Sequence, residues 1–170
     1  MEVTLRTDTA VAAIRAVASN ISGMTIGAGT ILNVSQLHQA IDAGAVFGLS
    51  PSLNLNVVKE ANRLNFFFIP GVMTPSEIET AYENGCTVLK LFPVSSIGGI
   101  SFLKSVQSPY AHLQLQFIPM GGINLHNMKD FLELRNVIAV GGSWLAPEEL
   151  MKRNDYAAIE KNTRDALADQ

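Results

Sequence analysis

Thr87-Val88-Leu89-Lys90-Leu91-Phe92-Pro93 is a short apolar run closed by a proline, the composition of a buried strand with one charge set into it. Just upstream, Thr74-Pro75-Ser76-Glu77 carries the signals of a helix start: Thr74 as cap, Pro75 at the first helical position and Glu77 completing a capping box. A helix followed by a strand is half of a repeating beat, and the same beat extends in both directions. Strand-like runs fall at Glu2 to Thr7, Met24 to Thr30, Val46 to Ser50, Phe66 to Pro70, Thr87 to Phe92, Leu115 to Pro119 and Val137 to Val140. Segments of helical period such as Ala10 to Ser19 and Ser35 to Ala43 lie between them, several preceded by Asn, Ser or Thr as caps. After Trp144 the chain turns helical and stays polar.

Strands alternating with helices predict an α/β fold with a parallel sheet. Seven consecutive βα units with glycines after the late strands point to a (β/α)₈ TIM barrel, a fold that typically runs to ~250 residues. One unit is then unaccounted for, and the expectation is that it is the first, because Met1 falls directly against a strand-like segment. The chain is thus read as a single, N-terminally incomplete barrel domain over residues 1–170. An open doubly wound sheet is the competing architecture, which periodicity does not separate from a barrel.

With 48% hydrophobic and 16% charged residues, 170 residues suit one buried core. A formal net charge of -3 with no long basic run gives no electrostatic footprint for nucleic acid, so the expected partner is a small molecule held locally. A lone cysteine, Cys86, rules out an internal disulfide framework and reads as an inert buried residue. The N-terminus lacks the pattern of a signal peptide and no run approaches the ~20 apolar residues of a membrane helix. A cytoplasmic protein without membrane association is expected.

Lys59, Lys104, Lys129, Lys152 and Lys161 fall on or near amphipathic helices, where a solvated face explains them; Lys90 alone interrupts an apolar strand. By alternation it shares a face with Val88 and Phe92. A buried ammonium among apolar groups has its pKa pulled down, helped by any nearby cation such as Arg6, which is how a lysine becomes a nucleophilic amine. The alternative is a buried ion pair with Glu2. On the first run, Glu2, Thr4 and Arg6 share one face and Val3 and Leu5 the other, so a barrel would point the polar set inward; an exposed edge strand would account for the same pattern. Gly121-Gly122 and Gly141-Gly142-Ser143 follow the last two runs, where barrels commonly hold a phosphate on bare backbone N–H groups, although tight turns also demand glycine. Gly98-Gly99 serves the same site or is only a turn.

Taken in order, Glu2-Val3-Thr4-Leu5-Arg6-Thr7, Gly27-Ala28-Gly29-Thr30, Ser50-Pro51, Ile69-Pro70-Gly71, Lys90-Leu91-Phe92-Pro93, Pro119-Met120-Gly121-Gly122-Ile123 and Gly141-Gly142-Ser143-Trp144 closely resemble the KDPG/KHG aldolases. These act on 2-keto-3-deoxy-6-phosphogluconate and 4-hydroxy-2-oxoglutarate, yielding pyruvate and an aldehyde. The resemblance implies a (β/α)₈ barrel, usually a homotrimer, with no metal and no cofactor. It implies that Lys90 forms the Schiff base and that Glu2 is the general acid/base. Arg6 and Thr30 match positions that hold the pyruvate carboxylate, Pro51 and Phe92 those that shape the pocket, and Gly121, Gly122 and Ser143 the phosphate or distal-acid end. Three departures stand out. Met120 replaces the Thr of gluconate-type members and matches the apolar residue of galactonate-type relatives; Ser52 stands where Gly often follows Ser-Pro; and Val94-Ser95 replaces a common Ala-Glu. A phosphate-sugar epimerase, a phosphate-binding synthase on the same barrel and a non-catalytic truncated remnant are the alternatives to an aldolase.

Overall fold

A computed structural model of the chain describes residues 1–168. It divides into two compact units, one of Met1–Phe92 and the other beginning at Pro93.

The first unit alternates strand and helix: β1 (Glu2–Thr4), α1 (Ala10–Asn20), β2 (Gly27–Gly29), α2 (Val34–Asp42), β3 (Phe47–Leu49), α3 (Leu55–Arg63), β4 (Phe67–Ile69), β5 (Gly71–Val72), α4 (Pro75–Glu83) and β6 (Val88–Leu91). Strands β1 to β4 pair in parallel and in sequence order, with Glu2 opposite Gly27, Gly27 opposite Phe47 and Phe47 opposite Phe67. α1 packs against α2, and α2 against α3, so these crossover helices lie side by side. A doubly wound sheet reverses its strand order at a switch point; no reversal occurs among β1 to β4. Buried Ile14, Ile31, Leu37, Leu49, Val57, Val58, Ile78, Leu89 and Leu91 fill the core.

Local chemistry sets the element ends. Asn33 and Asn54 cap α2 and α3 by accepting the amide protons of Gln36 and Asn56. The capping box expected at Thr74 and Glu77 is formed at the start of α4. The run Phe66 to Pro70 forms β4, but Pro70 has no N–H for the ladder and the pairing changes there: β4 pairs β3, while β5, beginning at Gly71, pairs β6. β1 is also shorter than the run expected from Glu2 to Thr7. It ends at Thr4, and the Arg6 amide turns back to the Thr4 carbonyl at 2.9 Å, so Arg6 is not on the strand.

The second unit holds α5 (Gly99–Tyr110), β7 (Gln116–Pro119), α6 (Met128–Leu132), α7 (Glu148–Lys152) and α8 (Tyr156–Ala168). Leu103, Val106, Phe117, Ile123, Met128 and Phe131 are buried in it. Val137 to Val140, expected as a full strand, is not one: an isolated parallel bridge joins Val137 to Phe117 of β7, and another joins Gly141 to Met120, each one residue further on. Between these bridges the later segment is one residue longer than β7, and an extra residue interrupts a ladder as a bulge does.

Candidate active site

Within the first unit, β6 carries Lys90 in the core. Its side chain is buried, 6% exposed, although it ends in an amine. The alternation read from the sequence holds, since the Lys90 Nζ lies over the Phe92 ring, 5.0 Å from its centroid. Burial pulls the ammonium pKa below the ordinary lysine value; the Glu2 charge opposes the shift and the Arg6 charge adds to it. Glu2 and Arg6 are therefore close enough to act on the amine electrostatically. Among the described residues, no ion pair joins Lys90 to Glu2. The lysine is thus a buried amine that is not half of a salt bridge with Glu2.

Glu2 reaches its place because β2 is bare there. Its carboxylate lies over the α-carbon of Gly29, in space that a β-carbon at that position would fill. β1 and β2 are locked in that register, with Thr4 opposite Gly29 and the Leu5 amide donating to the Gly29 carbonyl at 2.8 Å. Glu2 is half-buried while Arg6 is exposed, its Nε donating to Thr4 Oγ1 at 3.2 Å. The inward orientation expected for all three polar residues is thus seen for Glu2, whereas Arg6 is exposed and holds Thr4 by its hydroxyl.

Thr30, immediately after β2, has φ 61°, the left-handed region that a β-branched residue rarely enters. Holding it there costs on the order of 1–3 kcal/mol, and such outliers cluster at functional sites. Pro51 follows β3, and its carbonyl group and the following Ser52 nitrogen rest against the α-carbon of Gly71, the residue opposite Lys90 in the β5–β6 ladder. Lys90, Glu2, Arg6, Thr30, Pro51 and Phe92 all belong to this one unit.

The second unit carries the other candidates. The Ser95 amide donates to the Gly121 carbonyl at 3.1 Å, and the Val94 amide to the Met120 carbonyl at 2.8 Å. Gly121 and Gly122 both have positive φ, 92° and 82°, so their backbone conformation alone favours glycine. The Ser95 side chain fills the space over Gly122 where a β-carbon would be. Ser143 is exposed, next to Gly142, against which the Trp144 ring is stacked.

Sequence reasoning gave no role to Gly29, Gly71 or Ser95, and named Ser50 only within a motif. Glycines at alternate positions of a strand, as in Gly27-Ala28-Gly29, are a signal that something approaches that face. Cys86 matches its inert reading: it is buried, and burial pushes its thiol pKa up. Among the described residues no cluster of His, Cys, Asp or Glu could hold a metal ion, and no helix is long and apolar enough to cross a membrane.

The family model "KDPG and KHG aldolase" matches residues 1–162. The KHG/KDPG aldolase of Escherichia coli K12 is 40% identical over 167 residues, covering 98% of this chain and 78% of that protein. The KDPG aldolase of Legionella pneumophila, solved with pyruvate captured as a covalent carbinolamine, has a TM-score of 0.90 at 36% identity, with 98% of this chain and 79% of that one covered. The 2-keto-3-deoxy-6-phosphogluconate aldolase of Zymomonas mobilis ZM4, solved with 3-phosphoglycerate, has a TM-score of 0.92 at 36% identity, with 99% and 78% covered. The chain belongs to the KDPG and KHG aldolase family and is a class I aldolase, a carbon–carbon lyase.

Proposed function

We propose that Lys90 is the imine-forming amine and that the chain cleaves 2-keto-3-deoxy-6-phosphogluconate, its galactonate epimer or 4-hydroxy-2-oxoglutarate to pyruvate and an aldehyde. The observation that carries this reading is the burial of the Lys90 amine, with its pKa lowered and Glu2 and Arg6 both acting on it. In its neutral form the amine attacks the C2 carbonyl to give a carbinolamine, and loss of water gives the protonated imine. The C3–C4 bond then breaks as a base removes the proton of the C4 hydroxyl. The aldehyde departs, and the bonding pair passes to the imine nitrogen to form an enamine. Protonation at C3 and hydrolysis release pyruvate and restore Lys90.

Glu2 is the group assigned to these proton transfers, acting directly or through one water. Arg6 supplies paired donors for the pyruvate carboxylate, and Thr30 a hydroxyl held in place by its left-handed backbone. Pro51 and Phe92 give the apolar walls. Gly121, Gly122 and Ser143 are assigned to the phosphate or distal-acid end through backbone N–H groups and a hydroxyl.

Replacing Lys90 by Arg tests the central assignment, because a guanidinium keeps the charge and cannot act as the amine. Borohydride reduction with pyruvate is expected to label the unmutated protein at Lys90 and leave Lys90→Arg unlabelled. Labelling of the variant at another lysine would refute the assignment.

The seven βα units are read as parts of one (β/α)₈ barrel domain. The parallel, sequence-ordered pairing of β1 to β4 and the side-by-side helices α1 to α3 support that reading. A homotrimer located in the cytoplasm, needing no metal or cofactor, completes the proposal. Light scattering tests the assembly, and activity retained after exhaustive chelation tests the chemistry.

A further inference from the structure

Among the described residues, the buried polar side chains of the core are Lys90 and Ser50, and Ser50 is only 1% exposed. A buried hydroxyl must find partners, and those of Ser50 come from two different elements. Its amide donates to the Ile69 carbonyl at 3.2 Å, carrying the β3–β4 ladder one residue further. Its Oγ donates across Pro51 to the Ser52 carbonyl at 2.5 Å and accepts the Gly71 amide proton at 3.4 Å.

Those partners border the strand that carries Lys90. The Pro51–Ser52 peptide rests on the bare α-carbon of Gly71, where a β-carbon would meet Pro51 C and O and Ser52 N. Gly71 is the register partner of Lys90, and the neighbouring Pro70 carbonyl accepts the Lys90 amide proton at 2.9 Å. Pro51 has no N–H of its own with which to fix this turn. A hydroxyl is the smallest side-chain group that both donates and accepts, so it satisfies a carbonyl on one side and an amide on the other within a volume close to that of alanine.

We propose that Ser50 is a positioning residue for imine formation: its hydroxyl ties the Pro51–Ser52 turn to Gly71 and so fixes the Pro51 wall of the pyruvate pocket with respect to Lys90. This rests on the assignment of Lys90 as the imine-forming amine. Ser50 does not touch the substrate. It acts by holding a wall and a strand in one geometry, and small misplacements at a reacting centre are costly in rate.

Ser50→Ala removes both bonds and leaves the Ser52 carbonyl and the Gly71 amide without their partner. Ser50→Cys keeps the shape, with a weaker donor and acceptor. The experiment is pyruvate–borohydride trapping across a range of pyruvate concentrations, which separates apparent pyruvate affinity from maximal rate. Rates are expressed per folded molecule, with the folded fraction taken from the thermal transition. Ser50→Ala is expected to lower the maximal trapping rate by about tenfold or more, with Ser50→Cys intermediate. The pH midpoint of trapping is expected to stay where it is, since neither Glu2 nor Arg6 is altered.

Trapping by folded Ser50→Ala within about twofold of the unmutated protein would overturn the proposal, as would a loss that vanishes once the folded fraction is taken into account. A loss confined to apparent pyruvate affinity, with the maximal rate unaffected, would overturn it as well. Failure of the unmutated protein to be trapped at Lys90 is a separate result, which removes the assignment of Lys90 and this role for Ser50 with it.

Discussion

The carboxylate of Glu2 occupies the space over the α-carbon of Gly29 that a β-carbon would need. Because the clash would be with the far end of a flexible side chain, a Gly29→Ala protein relieves it by moving the carboxylate rather than the strand. With Glu2 as the proposed proton carrier, kcat is expected to fall on the order of a hundredfold with little change in Tm. Glu2→Gln is expected to show a comparable loss, and the double variant little more than either alone, since both remove one function. Steady-state cleavage assays beside thermal melts check this; a fully active Gly29→Ala protein would count against Glu2.

The direction of the Lys90 shift fixes a pH dependence. Burial lowers its pKa, Glu2 raises it and Arg6 lowers it. Since the neutral amine is the reactive form, trapping by pyruvate is expected to rise with pH through a midpoint below the ordinary lysine value. Arg6→Gln removes a positive neighbour and moves that midpoint up, whereas Glu2→Gln removes a negative one and moves it down. Trapping rates measured across pH for the three proteins give the midpoints. Opposite signs would show that the two charges do not act on Lys90.

The fold was readable wherever its determinants are local. Strand-like runs marked the positions of β1 to β4, β6 and β7 but not of β5, and the Thr74-Pro75-Ser76-Glu77 signal marked a helix start, because a cap and its partner lie within one turn of each other. The shift of pairing at Pro70 and the extra residue between Val137 and Gly141 depend on neighbouring strands, so the run itself did not reveal them. The same limit applied at the site. Lys90 stood out as a charge in an apolar strand. The bare α-carbon beneath Glu2 and the two partners of the Ser50 hydroxyl come from separate elements and appear only once the chain is folded. Arg6 was placed on the strand by alternation, but the chain turns after Thr4.

The capping box of α4 makes a stability prediction. Thr74 Oγ1 accepts the Glu77 amide proton at 3.3 Å, and the Glu77 carboxylate accepts from the amides of Met73 and Thr74 at 2.8 and 2.9 Å. Thr74→Ala is expected to cost ~1 kcal/mol. Burial raises the Glu77 pKa, but the hydrogen bonds from Met73 and Thr74 outweigh it and hold the carboxyl below its usual range. A lowered folded-state pKa stabilises above the unfolded-state value and loses that effect as pH falls through the folded-state one. The stability gap between the unmutated protein and Glu77→Gln is therefore expected at neutral pH and to close in acid. Denaturant melts across pH measure the gap, and a constant gap would refute the linkage.

From the family resemblance, Met120 is expected to bear on which epimer is cleaved. It follows β7, and its side chain fills the space over Gly141 with Cγ, Sδ and Cε. A thioether makes at most a weak acceptor, so this position offers no effective hydrogen bond where a threonine hydroxyl would offer one. A site that hydrogen-bonds a substrate hydroxyl penalises the isomer that cannot make the bond, because its own polar group is then left unpaired; a methionine sets no such penalty. Weak discrimination between substrates epimeric at C4 is therefore expected. Met120→Thr is expected to shift the ratio of kcat/KM toward the gluconate isomer by about tenfold, the worth of one neutral hydrogen bond. Threonine is also the smaller side chain and leaves Gly141 less covered, so the shift is to be read as a ratio between the two isomers and not as an absolute rate. Competition between the two epimers in one reaction vessel gives that ratio directly, and a strong gluconate preference in the unmutated protein would show that some other group reads C4.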